Sequence, residues 1–199
     1  IMYYGGQLVM NGELQPQVQT GSNHLRYAGL EKQVRLTTNI PLTYVAEEKS
    51  FVLNETKYVV LSWGIPLEAP LETTSEEFLR RTQNYWENWV LDCSVCRLYQ
   101  DVVIRSALTI KLHQFADTGA IVAAGTSSLP ESPGSGRNWD YRYCWIRDSY
   151  YTLTALNYLG HFSELELFAN YVRNIAVSSE GRYNPVYSIA GDSDLTERQ

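Results

Sequence analysis

A chain of 199 residues that is 44% hydrophobic and 19% charged has ordinary globular composition and room for one or two domains. Its formal charge of −6 and its sixteen scattered Lys and Arg exclude a nucleic-acid surface. No apolar run reaches the roughly 18 residues of a membrane span, which excludes a membrane partner.

The opening Ile1-Met-Tyr-Tyr-Gly-Gly6 lacks the basic start and apolar run of a signal peptide. With the odd cysteine count this points to the cytoplasm. It reads as an entry in mid-strand, and the polar close Asp194-Leu-Thr-Glu-Arg-Gln199 has no domain finish, so both ends read as truncations.

Residues 1 to about 70 read as β structure. Gln33-Val-Arg-Leu-Thr37 alternates polar and apolar, Leu42-Thr-Tyr-Val45 and Phe51-Val-Leu53 are short strand-like runs, and Tyr58-Val-Val-Leu-Ser-Trp63 is the strongest strand. Turn formers separate them at Asn11-Gly12, Asn39 to Pro41, Asn54-Glu55 and Gly64 to Pro66. Short strands at this spacing predict an antiparallel sandwich with strands missing from its front.

The character changes at Pro70. Thr74-Ser-Glu-Glu77 fits a capping box, and Phe78, Thr82, Tyr85, Trp86, Trp89 and Val90 share one face of a helix over about 75–90. A second helix is predicted over 98–116, with Val102, Val103, Ala107, Leu108, Leu112 and Phe115 inward. A third runs over 147–159 and stops at Gly160, and a fourth spans 163–176 with Ser163 as cap and Glu166 as its capping-box partner.

Cys93-Ser-Val-Cys96 has C-x-x-C spacing, but with no second pair and few His it is a weak metal signal, and Cys144 leaves the count odd. The cysteines read as reduced, inert thiols. No metal and no cofactor is expected.

Fifteen Tyr and five Trp are many for this length, and rings with one flat apolar face and one polar edge suit sugars. The stretch from about 117 to 146 holds Trp139, Tyr141, Tyr143 and Trp145; it has no helical period and reads as an ordered functional loop. Its end, Asn138-Trp-Asp-Tyr-Arg-Tyr-Cys-Trp-Ile-Arg-Asp148, crowds Trp139, Tyr141, Trp145, Arg147 and Asp148 around a helix start. Arg147 brings a rigid fork of donors and Asp148 acceptor oxygens, a pair suited to vicinal hydroxyls. A buried Arg–Asp ion pair packed in aromatics is the other reading of the same residues.

That stretch resembles the signature of glycoside hydrolase family 15, which includes glucoamylases, glucodextranases and a branch of trehalases. Gln114 to Ile121, Thr126-Ser-Ser-Leu-Pro-Glu131 and Tyr187 to Glu197 are similar to the family as well, and Leu61-Ser-Trp-Gly64 to its N-terminal domain. The resemblance implies an N-terminal antiparallel β-sandwich followed by an (α/α)6 toroid. Residues 1–72 would then be the last part of the sandwich, 73–91 a linker helix, and 92–199 the first part of the toroid. It implies that Arg147 and Asp148 bind hydroxyls of the terminal glucose, that Trp145 lines the pocket, that Tyr141 stands beside the catalytic base, and that Trp139 lies nearby.

The resemblance also implies an inverting hydrolase with one glutamate as acid and another as base, about 6.5 to 9.5 Å apart. Glu131, Glu164 and Glu197 lie outside the family's catalytic contexts, so no catalytic residue is assigned within this chain, and the chain alone is expected to be inactive. The expected substrate is an α-glucan or gluco-oligosaccharide cut from its non-reducing end, as by a glucoamylase. Trehalose is the alternative within the family, and a non-catalytic sugar-binding remnant the alternative outside it.

Overall fold

The computed structural model describes residues 2–4, 7–9, 17–30, 32–127, 129–178 and 182–195. The predicted Asn11-Gly12 turn and Glu197 lie outside them. The chain divides into two units, 1–85 and 86–199.

In the first unit β1 (Met2–Tyr4) pairs with β2 (Gln7–Val9). Strands β3 (Gln17–Thr20), β4 (His24–Ala28), β5 (Val34–Thr38) and β6 (Val59–Trp63) form a four-stranded antiparallel sheet in that order. The register sets Leu25 beside Leu36 and Leu36 beside Leu61, and Tyr27 beside Val34 and Val34 beside Trp63. One face of the sheet therefore carries the buried core of Leu25, Tyr27, Val34 and Leu36.

Leu42 and Val45 pack on that core from a helix rather than a strand: α1 spans Leu42–Ala46. Pro41, held at φ −52°, offers its carbonyl to the amides of Tyr44 and Val45 at 2.9 and 3.4 Å. That places the two apolar residues three apart on one turn, and tertiary packing overrides the β propensity of Thr43, Tyr44 and Val45. Phe51-Val-Leu53 is not a strand either. Val52 and Leu53 are exposed, and Phe51 stacks on Tyr44 instead, ring centroids 6.1 Å apart.

Helix α2 (Leu71–Leu91) begins before the predicted capping box. The Thr74 amide already donates to the Pro70 carbonyl at 3.0 Å, so Thr74 lies in the first turn and does not cap it. Ser75 turns its hydroxyl back to the Leu71 carbonyl at 2.7 Å.

In the second unit α3 (Gln100–Leu112) is shorter than predicted. Ala107 is buried on it while Val102 and Leu112 are exposed. Helix α4 (Ile146–Tyr158) ends at Gly160, whose φ of +86° lets the His161 amide reach the Leu156 carbonyl in a Schellman turn. Helix α5 (Phe162–Ser178) starts at Phe162, so Ser163 is not its cap. The Ser163 hydroxyl donates instead to Glu164, whose side chain turns inward. Strand β7 (Cys144–Trp145) pairs antiparallel with β8 (Val186–Tyr187).

Two clusters fill this unit. One joins Ala120, Ile121, Cys144, Phe168, Tyr171, Ile175 and Tyr187. The other joins Trp89, Ala107 and Leu156. Among the described residues no helix is long and apolar enough to cross a membrane.

Candidate functional site

The stretch between α3 and α4 is irregular but tied. Gln114 bridges Ile121 and Pro130 bridges Asn138. The amides of Ala123 and Ala124 donate to the carbonyls of Tyr143 and Tyr141 at 3.1 and 2.9 Å, and the Tyr141 amide donates to the Thr126 carbonyl at 2.9 Å. Backbone pairing thus satisfies the polar groups of a loop that sends Ala120, Ile121 and Cys144 into the core.

The loop delivers the chain into β7 and then α4. Cys144 faces Tyr187 and Trp145 faces Val186, and the Ile146 amide donates to the Pro185 carbonyl at 3.1 Å. Trp145 is extended at the N-cap position of α4. Ser149, fully buried one turn on, donates its hydroxyl to the Trp145 carbonyl at 2.9 Å. This fixes the first turn of α4, which carries Arg147 and Asp148.

Arg147 donates from Nη2 and Nε to Asp148 Oδ2 at 3.1 and 3.3 Å. Its guanidinium carbon stands 5.8 Å from the centre of the Trp145 ring, a cation–π distance. The Arg147 and Asp148 side chains are 73% and 39% exposed, so the pair is a surface pair and not the buried ion pair of the competing reading. Asp148 also lies where the helix dipole favours a carboxylate. The indole N–H of Trp145 is buried and has no hydrogen-bond partner among the described residues. Three of the five predicted residues therefore stand together, with donors, acceptors and a flat ring.

Tyr141 is half-buried and Trp139 is 37% exposed. Among the described residues neither hydrogen-bonds Arg147 or Asp148. What ties Tyr141 is its backbone and a feature that sequence reading missed: the Asp140 carboxylate accepts from the Arg142 amide at 3.0 Å, from its Nε at 2.9 Å and from its Nη2 at 2.7 Å. The Arg142 hydrogen bonds outweigh partial burial and hold the Asp140 carboxyl below its ordinary range. An Asp two residues before an Arg at a turn is the only sequence signal for it.

Two of the three glutamates singled out in the sequence, Glu131 and Glu164, lie among the described residues. Glu131 sits at the surface, 3.9 Å from Arg137. Glu164 is buried and accepts from Trp89 Nε1 at 2.9 Å and Ser163 at 2.7 Å, with Lys111 Nζ at 3.0 Å. Burial alone would raise its carboxyl, but the bonds from Trp89, Ser163 and Lys111 prevail and hold it at about 2. A carboxyl so fully ionised makes a poor proton donor at neutral pH.

A cleft of about 630 Å³ between α5 and the turn after β8 is lined by Asp117, Asn170, Asn174, Asp192 and Asp194 among others, and by none of the five predicted residues. Among the described residues no group of three or more His, Cys, Asp or Glu is placed to hold a metal ion.

The chain is similar to curated proteins named trehalase. It is 38% identical to that of Thermoplasma acidophilum over 143 residues, 71% of this chain and 24% of the relative. It is 33% identical to that of Mycolicibacterium smegmatis over 177 residues, 83% of this chain and 26% of the relative. It is 31% identical to Trehalase 1 of Sulfolobus acidocaldarius over 129 residues, 64% of this chain and 22% of the relative. The chain thus spans about a quarter of the length of the relatives it matches. No solved structure matches it significantly. A family model, Glycosyl hydrolases family 15, matches residues 97–199, which include the loop, α3, α4, α5 and every residue of the candidate site. The chain belongs to glycosyl hydrolase family 15.

Proposed function

We propose that this chain is part of an inverting hydrolase that cleaves trehalose. The observation that carries the reading is the exposed Arg147–Asp148 pair, set beside the Trp145 ring by the first turn of α4. The Arg147 fork and the Asp148 oxygens bind adjacent hydroxyls of one glucose unit, and Trp145 forms the wall against its apolar face. Tyr141 and Trp139 flank the reacting end.

Trehalose takes precedence over the α-glucans of the first expectation because the relatives above carry the name trehalase. Helices α3 to α5 then read as the start of an (α/α)6 toroid, the four-stranded sheet as part of a sandwich, and α2 as the linker. The acid and base glutamates belong to polypeptide outside these residues, since Glu164 is locked in its ion pair and Glu131 lies at a surface turn.

The test is product stereochemistry. The complete reading frame is expressed and given trehalose, maltotetraose and isomaltose, with anomers followed by NMR before mutarotation. Inverting attack on trehalose releases one β-glucose from the attacked centre and one α-glucose as leaving group, in equal amounts. Two α-glucoses would overturn inversion. Glucose from maltotetraose but none from trehalose would restore the glucoamylase reading. No release from any of the three by a well-folded product would favour a sugar-binding remnant.

A further inference from the structure

Tyr141 sits at the apex of a turn that one carboxylate closes three times. Asp140 accepts from the Arg142 amide, which makes an Asx turn, and from two guanidinium nitrogens of the same Arg142. On the other side, the Tyr141 amide and carbonyl are both engaged by residues 126 and 124. The two dihedrals that swing the Tyr141 side chain are therefore gripped from both flanks.

The grip is local. The Arg142 side chain is 63% exposed and that of Asp140 30%, so the pair covers little apolar surface and anchors no core. Its guanidinium is turned onto Asp140. A bidentate Arg–carboxylate fork fixes planes as well as distance, which a Lys in its place would not do.

We infer that Asp140 and Arg142 are positioning residues that aim Tyr141 at the bound sugar. This rests on the reading of Tyr141 as a site residue. The clamp acts through geometry, because a displacement of about 1 Å in an aligned group is enough to lower turnover by about 100-fold.

The test uses Tyr141→Phe, Arg142→Ala, Arg142→Lys, Asp140→Asn and the double variant Tyr141→Phe/Arg142→Ala in the complete reading frame, each assayed on trehalose. Arg142→Ala is expected to lower kcat at least about tenfold with KM and Tm nearly unchanged. Arg142→Lys and Asp140→Asn fall between, and the double variant is no worse than Tyr141→Phe. If Tyr141→Phe is impaired while Arg142→Ala keeps wild-type kinetics, the positioning role is overturned and the site reading stands. If Tyr141→Phe is itself unimpaired, both fall. A loss in Arg142→Ala that adds fully to that of Tyr141→Phe also overturns the inference. Should Arg142→Ala fail to fold, Arg142→Lys and Asp140→Asn carry the same readout.

Discussion

Trp89 and Glu164, far apart in sequence, meet inside the helical unit, where the indole N–H donates to the carboxylate at 2.9 Å. Lys111 joins them, with only 11% of its side chain exposed. Removing the charge of Glu164 strands a buried ammonium. Glu164→Gln is expected to destabilise the fold by about 3 kcal/mol or more, measured by urea unfolding. A loss below about 1 kcal/mol would show that the ion pair is replaceable.

The same carboxyl predicts a pH dependence. Its folded value of about 2 lies below the ordinary 4.5. The unfolded chain therefore takes up protons first as pH falls, and stability is lost between about 4.5 and 2. The contribution present above that window is roughly 3 kcal/mol. Wild type should lose stability across this range more steeply than Glu164→Gln, and identical slopes would contradict the assignment.

His161 gives a second, separate window. It stacks flat on Trp89, centroids 4.0 Å apart, with Cys93 Sγ 3.0 Å from Nε2. Burial lowers its pKa below 6.5 despite the nearby charges of Glu164 and Asp92. The neutral ring is the folded form, so stability declines as pH falls through 6.5 and the unfolded histidine protonates first. The imidazole C–H resonance of His161 should titrate below 6.5, and a midpoint above it would refute the argument.

Arg147→Ala and Asp148→Ala test the site. The pair is largely exposed, so each variant should shift stability by less than about 1 kcal/mol. In the complete reading frame each should lower kcat/KM for trehalose by about 10- to 150-fold per lost bond, since charged hydrogen bonds contribute about 1.5 to 3 kcal/mol apiece. Near-normal kinetics in both would remove the pair from the site.

Gly119 and Gly134 form an internal control. Both have positive φ, +82° and +78°. A Cβ on Gly119 would stand 2.3 Å from the Leu167 carbonyl oxygen, while one on Gly134 meets nothing within 4 Å. Gly134→Ala should cost about 1 kcal/mol, the left-handed penalty alone, and Gly119→Ala distinctly more. Equal melting temperatures would mean that the loop gives way without strain.

What was legible in the sequence had a local cause. Helices α4 and α5 followed from their apolar spacing and from Gly160, and β6 from its β-branched run. The Arg147–Asp148 pair and its Trp145 neighbour could be read as a candidate site because they are neighbours on one short stretch. The misreadings came where tertiary structure decided. Leu42 and Val45 needed the sheet beneath them to become a helical turn. Thr74 and Ser163 matched a capping pattern, but each helix had already started upstream. The Trp89–Glu164 contact has no local signature at all, and the Asp140–Arg142 clamp is only one turn among many with an acid and a base nearby.

The pairing of Trp145 with Val186 has a consequence for synthesis. Chains emerge from the ribosome at roughly 5–20 residues per second, so the roughly forty residues between these partners take several seconds to appear. Arg147 and Asp148 are thus translated well before the strand that braces them. During that interval β7 has no partner strand, and of the backbone pairings that tie the loop and β7 only those within the loop, such as Tyr141 with Thr126, have both partners already synthesised.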